Sequence, residues 1–249
     1  MIAWDTCINR ANHLAEQSSS TKELLTFYAT LLQIQKQIHD LLSPAPDLTE
    51  LKKHLPSLLQ AVKVTAPAPL ADQANELLAA SPESLDVLLL DYWHTRSDKQ
   101  FFAKALIQPY AQRLVESGAL RPDLPRRENQ CPFCLGKPQV SFLKIAEAGS
   151  ESGNRNLLCA TCLSSWEFRR VVCAACGEEN PAKLSYFQTS EYEHVRIEAC
   201  DSCKHYIKGI DLTRLGFADP LVDDIATAAL DLWAVEKGYT KIELNLIGL

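Results

Sequence analysis

The sequence predicts an α+β fold, in which an all-α N-terminal half is followed by small cysteine-rich ribbons and a C-terminal helix. Apolar residues recur at helical spacing through the first 120 residues. Beyond residue 130 the apolar segments become short and rich in β-branched and aromatic side chains, which is typical of strands. Eight of the nine cysteines lie in this second part, as four C-x-x-C pairs within 73 residues. A chain of 249 residues is long enough for two domains.

The helical half is predicted to be a bundle of amphipathic helices. The longest helix is expected over residues 21–42, where apolar residues repeat at intervals of three and four. Ser81 is expected to cap another helix, because a proline follows it at the first helical position. A further helix is expected to start at Ser97 or Asp98 and to kink at Pro109.

The cysteine-rich half begins after a polar, proline-interrupted linker over residues 121–130. Strands are predicted at residues 139–144, 156–158, 166–172, 184–188 and 194–198, and residues 147–155 are expected to form a hairpin tip. Asp219 is expected to cap one C-terminal helix that ends at Gly238. The predicted organisation is a helical domain (1–125), a first ribbon (126–170), a second ribbon (171–213) and a C-terminal helix with tail (214–249).

The four C-x-x-C pairs have the spacing of metal ligands. Each C-x-x-C turn brings two thiolates onto one side of a knuckle, and a second knuckle completes a tetrahedral four-sulfur site. The first and second pairs are separated by 24 residues, and the third and fourth by 23, whereas 10 residues lie between the middle two. We therefore predict one site from Cys131, Cys134, Cys159 and Cys162 and another from Cys173, Cys176, Cys200 and Cys203. Offsets of 42 and 41 residues indicate a duplicated ribbon, although cross-braced pairing of the first knuckle with the third stays open.

Other cysteine chemistry fits the pattern less well. Four disulfides are typical of small secreted scaffolds, whereas this chain has a long half with a single cysteine and lacks a recognisable signal peptide. Thioredoxin-like redox chemistry uses one C-x-x-C at the start of a helix, not four evenly repeated pairs. Cys7, outside the pairs, is predicted to be a buried apolar side chain.

The ligand set does not distinguish zinc from iron, because four thiolates bind either metal tetrahedrally. Gly136 and Gly177 lie at or near the position after a second ligand, where a left-handed backbone would point amide groups at sulfur. His194 and His205 remain alternative ligands near the second ribbon. We predict two metal ions per chain, iron or zinc.

Composition excludes several classes of function. Both halves are mildly acidic, with 13 basic and 15 acidic residues in 1–128 and 12 and 16 in 129–249, which argues against a nucleic-acid partner. No apolar run approaches the roughly 20 residues that a membrane span requires. Cysteines kept as reduced thiols predict that the protein is located in the cytoplasm. Closed four-thiolate sites leave no open position for Lewis-acid catalysis, and no phosphate-binding loop or nucleophile elbow is present, so no enzymatic activity is expected.

Several motifs together resemble the formate dehydrogenase accessory (FdhE) family. They are the segment from Phe101 to Tyr110, the four knuckles, Trp166, Arg169, Glu198 before the fourth knuckle, Tyr206-x-Lys208, Asp223-Asp224-Ile225-Ala226, Ala229-Leu230-Asp231-Leu232 and Gly238-Tyr239. The resemblance runs from about residue 85 to residue 240. Each C-x-x-C alone is common, and the combination is specific.

The resemblance implies a cytoplasmic, non-catalytic assembly factor for a respiratory formate dehydrogenase that contains molybdenum or tungsten. Such proteins bind the catalytic subunit before export, and their tandem rubredoxin-like or zinc-ribbon modules can hold iron. Among the residues of these motifs, we predict that Trp166, Arg169 and Tyr206 contact the partner. The alternative is a free-standing, rubredoxin-like electron-transfer protein in which the iron is the active centre.

Overall fold

The chain forms two compact units, one made mainly of Met1–Arg121 and the other mainly of Pro122–Ile247. The computed structural model describes residues 2–96, 100–120, 125–144 and 153–249. The expected helix start at Ser97 or Asp98, most of the expected hairpin tip and residues 121–124 of the expected linker lie outside the described residues. The predicted α+β class, with helices in the N-terminal part and strands after them, is confirmed.

The first unit is called the helical unit. In the ranges that the structure describes, its secondary structure is entirely helical. These are α1 (Trp4–Gln17), α2 (Lys22–Leu41), α3 (Leu48–Lys52), α4 (Leu55–Thr65), α5 (Ala68–Leu78), α6 (Pro82–Thr95) and α7 (Phe101–Glu116). Helix α2 matches the prediction over residues 21–42, and the hydroxyl of Ser81 caps α6 by accepting from the amide of Ser84. Cys7 is fully buried, as predicted for an apolar side chain.

Pro109 lies inside α7, where a kink was predicted, and the helix continues through it. Proline has no backbone N–H, so the carbonyl oxygen of Ala105 loses its usual helical donor. The buried amide of Gln35 on α2 replaces that donor, with Nε2 2.8 Å from the Ala105 oxygen and 2.9 Å from Oε1 of Gln108. This side chain satisfies the carbonyl that the proline leaves unpaired and ties α2 to α7.

The second unit, called the sheet unit, carries both cysteine-rich ribbons in a single sheet. Its strands are β1 (Pro138–Lys144), β2 (Asn154–Cys159), β3 (Ser165–Glu167), β4 (Leu184–Gln188), β5 (Val195–Cys200), β6 (His205–Asp211) and β7 (Thr240–Lys241). The first ribbon is β1–β3 and the second is β4–β6, each antiparallel. The order is β3-β2-β1-β6-β5-β4, with β7 beside β6. A parallel pair of β1 with β6, in which Val140 lies opposite Lys208, therefore joins the ribbons.

One face of this joint is held by a buried carboxylate. Glu198 on β5 accepts from the Ser141 hydroxyl on β1 at 3.0 Å and from Arg155 Nη2 on β2 at 2.6 Å. To reach β1 and β2, the Glu198 side chain crosses β6 at Gly209. A Cβ added to Gly209 would lie 2.6 Å from Glu198 Oε1. A side chain at that position would collide with the carboxylate, so glycine is needed for the cross-strand bridge.

The C-terminal segment forms two helices, α8 (Pro220–Ala226) and α9 (Ala228–Glu236), and the prediction of one continuous helix was wrong. Asp219 caps α8 as predicted, by accepting from the amides of Leu221 and Val222. The break falls at Thr227, whose φ of −105° and ψ of 38° are not helical. Lys208 Nζ donates to the carbonyl of Asp224, an acceptor that a continuous helix would use itself.

The other face of the joint holds a buried cluster of four charges. Lys208 of β6 is fully buried and lies 3.0 Å from Asp224 of α8, and Lys241 of β7 lies 2.8 Å from the same carboxylate and 3.1 Å from Asp231 of α9. Burial alone would raise the pKa of Asp224, but the ammonium groups of Lys208 and Lys241 outweigh it and lower that pKa to about 2. Equal numbers of opposite charges make burial tolerable here.

In the described part of the chain, no helix is both long enough and apolar enough to cross a membrane.

Candidate metal centres

The structure groups the eight paired cysteines into two clusters at equivalent places in the two ribbons. The first site consists of Cys131, Cys134, Cys159 and Cys162, and the second of Cys173, Cys176, Cys200 and Cys203. In each cluster the sulfur atoms all lie within 4.8 Å of one another. One knuckle precedes the first strand of the ribbon, and the other begins at the last residue of the second strand, Cys159 or Cys200. The cysteines are therefore paired within ribbons and not cross-braced.

All four knuckles share one backbone conformation. The residue after the second cysteine has a positive φ in every case: 61° at Leu135, 56° at Leu163, 79° at Gly177 and 58° at Lys204. The left-handed residue turns the chain back, and the amides of Leu135, Gly177 and Lys204 each donate to the carbonyl of the first cysteine of their knuckle. The prediction of a left-handed glycine is confirmed at Gly177, whereas in the first knuckle Leu135 takes that conformation.

Gly136 is needed for a different reason from the one predicted. A Cβ on Gly136 would lie 2.9 Å from Cys159 Sγ, 3.0 Å from Thr161 Oγ1 and 3.2 Å from Cys134 Sγ. These contacts are too close for ordinary packing, so the backbone of Gly136 approaches the sulfur cluster in a way that a side chain would prevent. The glycine supplies space and not a left-handed turn.

Backbone amides point at sulfur in both sites. The amide of Thr161 donates to Cys159 Sγ at 3.3 Å, and the amide of Ala175 donates to Cys173 Sγ at 3.3 Å. Both donors are two residues after the accepting cysteine, so the knuckle turn itself creates them. Amide donors of this kind stabilise negative charge on sulfur, which favours a thiolate bound to a cation.

The first site is sealed from solvent. All four of its cysteines are buried, and Cys131 Sγ lies 3.5 Å from Cys162 Sγ while Cys134 Sγ lies 3.4 Å from Cys159 Sγ. Burial raises the pKa of the Cys159 thiol well above its ordinary value. Thiolates are poorly stabilised there without a cation, so a metal ion would bind with the release of protons.

The second site is open on one side. Cys176 is exposed and Cys203 is half-buried, in contrast to the four buried cysteines of the first site. Burial raises the pKa of Cys173 to about 11. At Cys200 burial would also raise the pKa, but the amides of Cys203 and Ser202 outweigh it and lower that pKa. Solvent and other molecules can therefore reach one edge of this cluster.

The donor sets fit a tetrahedral ion. Metal–sulfur bonds of about 2.3 Å in a tetrahedron place sulfur atoms about 3.8 Å apart. In the second site Cys173 lies 3.8 Å from Cys203 and Cys176 lies 3.8 Å from Cys200, and the corresponding contacts of the first site are slightly shorter. Each cluster can hold one ion, and four thiolates suit iron and zinc alike.

The histidines considered as alternative ligands have other partners. His194 Nε2 lies 2.8 Å from Oδ1 of Asp223, and His205 Nδ1 lies 2.8 Å from the carbonyl of Cys203. Neither imidazole belongs to a cluster of candidate ligands among the described residues. Both candidate sites are therefore made of cysteine alone.

Of the three residues predicted to contact a partner, one is exposed. Tyr206 is 1% exposed and donates its hydroxyl to Asp231 at 2.8 Å. Trp166 is also buried, and its indole N–H donates to the carbonyl of Glu128 at 3.0 Å. Arg169 lies at the surface, 3.0 Å from Glu128 and 2.7 Å from Glu179. Partner binding by these residues stays a prediction, and Arg169 is the one that a partner can reach.

Sequence reasoning missed the residues that connect the two sites. Asn129, two positions before Cys131, donates to the carbonyls of Ala174 and Ala175 at 3.1 and 2.7 Å. Those carbonyls lie between the two cysteines of the third knuckle, so a side chain next to the first site holds part of the second. The available signal was weak, because an asparagine in a polar linker is ordinary.

Comparison with known proteins gives matches in one family. Residues 171–247 match the model of the FdhE C-terminal domain. Among curated proteins, a protein FdhE homolog of Aquifex aeolicus is 43% identical over 121 residues, which is 49% of this chain and 42% of that protein. A homolog from Edwardsiella ictaluri is 30% identical over 71% of this chain and 58% of its own length. Protein FdhE of Escherichia coli O127:H6 is 27% identical over 78% of this chain and 64% of its own.

The chain spans less than two thirds of the length of each of these curated relatives. The crystal structure of the FdhE protein from Pseudomonas aeruginosa matches with a TM-score of 0.74 at 24% identity, covering 98% of this chain and 94% of that chain. This match shows a shared fold. The resemblance to the FdhE family is therefore confirmed, with an FdhE C-terminal domain at residues 171–247 and the fold of an FdhE protein.

Proposed function

We propose that this protein is a cytoplasmic, non-catalytic accessory factor that binds the catalytic subunit of a formate dehydrogenase during its assembly. The observation that carries the proposal is the pair of all-cysteine sites built into a sheet whose second ribbon matches the FdhE C-terminal domain. Each site is proposed to hold one metal ion, iron or zinc.

The donor sets support a binding role over a catalytic one. Four cysteines per site complete a tetrahedral shell, so a bound ion keeps no open position for a substrate or a water molecule. When bound, the ion neutralises the thiolates and links the two knuckles of its ribbon. The chain's own contribution is to hold those knuckles with left-handed residues and amide donors at fixed places on a shared sheet. A sheet fixed in this way can present a stable surface to a large partner.

The proposal is tested by recovering the partner. The full-length, affinity-tagged protein would be isolated anaerobically from its source organism grown by formate respiration, and co-purifying proteins would be identified by mass spectrometry. We expect the catalytic subunit of a formate dehydrogenase, together with about two metal ions per chain. A matched isolation of Cys131→Ser serves as a control for metal-dependent folding. If wild-type protein with both sites filled recovers no such subunit, the proposed function is wrong.

A second candidate, a rubredoxin-like electron carrier, is favoured by the openness of the second site. Exposed Cys176 and half-buried Cys203 would bring an iron there close to the surface, as electron exchange with a partner requires. Visible spectra of aerobically purified protein distinguish the candidates. Reversible red ferric colour with a measurable reduction potential would support the carrier, whereas a colourless zinc protein that still binds its partner would reject it.

A further inference from the structure

A short segment at residues 126–129 lies across both ribbons of the sheet unit. The carbonyl of Glu128 accepts from the indole of Trp166 in the first ribbon. The amide side chain of Asn129 donates to the carbonyls of Ala174 and Ala175 at the start of the second. We call this segment the strap. Because Glu128 and Asn129 tie the strap to both ribbons, it is a fixed wall for the space beside it.

That space is a groove with two neighbouring parts. The larger cavity has a volume of about 650 Å³ and is lined by strap residues and by the ends of β2 and β3. The smaller, of about 200 Å³, extends to Cys176 and Gly177 of the second site. Both are lined by Glu128, Phe168 and Arg169, so they are neighbours, and together they are called the arginine groove. It runs from the edge of the first ribbon to the open side of the second site.

The groove carries positive charge on an acidic protein. Its larger part is lined by four arginines and two glutamates, whereas the whole chain has a net charge of −6. Arg126 and Arg170 are exposed, and within the described ranges neither guanidinium has an ion-pair partner. Arg155 is buried, and its Nε has no acceptor among the described residues, although its other nitrogens are bonded. The groove therefore has more donors than acceptors.

The existing contacts of Arg169 show which ligand chemistry the groove accepts. Its guanidinium binds two carboxylates of the chain itself, Glu128 at 3.0 Å and Glu179 at 2.7 Å. Arg126 and Arg170 offer the same planar group with no carboxylate bound. The free donors of the groove are therefore suited to further carboxylates.

We propose that the arginine groove binds an extended acidic segment of a partner protein. This inference rests on the proposed function, since the partner would be the formate dehydrogenase subunit. Pro132 adds apolar surface for a neighbouring side chain of such a segment, and the largely buried rings of Trp166 and Phe168 line the same cavity. Strand β3 ends the sheet, and among the described strands it pairs with β2 alone, which leaves main-chain groups for an extended peptide. A small anion would use neither feature, and a nucleic acid has no peptide main chain to pair with a strand edge.

The test measures peptide binding directly on the metal-loaded full chain. The probe is a fluorescein-labelled peptide of alternating glutamate and valine, followed by fluorescence anisotropy. The variant Arg126→Glu with Arg170→Glu reverses the two unpaired charges. The matched control, Lys183→Glu with Lys237→Glu, makes the same change of net charge at exposed lysines outside the groove. We expect the groove variant to bind about tenfold more weakly than wild type, and the control to change affinity by about twofold or less.

Two outcomes would overturn the inference. One is equal loss of binding in the groove and control variants, which would show attraction to net charge alone. The other is full competition by inorganic phosphate at concentrations that match the peptide, which would show a small-anion site. Recovery of the formate dehydrogenase subunit separates this inference from the proposed function. If both double variants recover the subunit equally, binding by the groove is refuted and the proposed function stands. If the peptide binds the groove but no subunit is recovered, the proposed function is refuted and acidic-peptide binding by the groove stands.

Discussion

The two metal sites have the same plan but differ in exposure. Each uses two C-x-x-C knuckles, each begins its second knuckle at a strand end, and each turns its knuckles with a left-handed residue. In the first site all four cysteines are buried, whereas in the second Cys176 is exposed and Cys203 is half-buried. The two sites therefore share their ligand geometry and differ in their surroundings.

The residues that follow the knuckles explain part of this difference. The first site has leucine at both left-handed positions, Leu135 and Leu163, and Leu163 is 1% exposed. The second site has Gly177 and Lys204 there, and nothing lies within 4 Å of the place where a Cβ of Gly177 would be. A left-handed leucine costs about 1 kcal/mol more than a left-handed glycine. The first site has this strain at both of its left-handed turns, whereas the second has it only at Lys204 and is open at Cys176.

The largest expected effect compares the strand-end ligands, Cys159→Ser and Cys200→Ser. Metal binding supplies folding free energy of about 10 kcal/mol in small metal-binding domains, so losing either ion should be severe. We expect Cys159→Ser to unfold most of the sheet unit, because its ligand lies in a sealed core. Cys200→Ser should unfold the second ribbon and leave β1–β3 partly protected. Amide hydrogen exchange followed by mass spectrometry measures this for each strand.

In both variants the control is the helical unit, whose helices α1 to α7 should keep their protection. Equal loss of protection in both ribbons for both substitutions would show that the sites are energetically equivalent. Loss of protection in α1 to α7 would show that the helical unit depends on the metal sites.

The sequence predicted what depends on local spacing. The knuckle ligands, their pairing, the helix over residues 21–42 and the caps at Ser81 and Asp219 all follow from residues close together in the chain. Strand β6 was missed, although the offset of the duplication moves β3 onto residues 206–209. Its parallel pairing with β1 joins residues far apart in the chain, which no local pattern specifies.

Buried polar side chains were the other failure of sequence reasoning. Lys208, Lys241 and Asp224 are ordinary surface residue types, and only the fold shows that they neutralise one another inside the protein. Tyr206 was predicted to contact a partner as one of the residues of the motifs that resemble the FdhE family. Its hydroxyl is instead satisfied by Asp231 in the interior.

The second-largest effect is expected for substitution of Glu198, which connects the two ribbons. Burial alone would raise its pKa, but Arg155 and Arg196 outweigh burial and lower the pKa below its usual value of 4.5. Because the folded-state pKa is lowered, the stabilisation is complete above about pH 4.5 and is lost as the pH falls through the folded-state value. Glu198→Gln should destabilise the sheet unit by about 3 kcal/mol at pH 7, and its difference from wild type should shrink in acid.

Urea unfolding of the metal-loaded protein at several pH values measures this difference. Glu236→Gln, at an exposed carboxylate, is the matched control and should follow wild type throughout. Comparing variants at the same pH removes the common effect of acid on metal binding. A Glu198→Gln difference that stays constant down to pH 3 would mean that the carboxylate does not join the ribbons through its charge.

The smallest expected effect separates the two glycines of the knuckles. Gly136→Ala should destabilise the first site by about 2 kcal/mol, because its Cβ would press on Cys159 Sγ and Thr161 Oγ1 in a packed core. Gly177→Ala should cost only about 1 kcal/mol, because its φ of 79° disfavours a side chain but the space around it is empty. Chelator-induced metal release, measured for each variant, should accelerate at the first site alone for Gly136→Ala and at the second alone for Gly177→Ala. If Gly177→Ala is the more damaging substitution, strain and not packing governs these sites, and the contrast between a sealed and an open centre loses its physical basis.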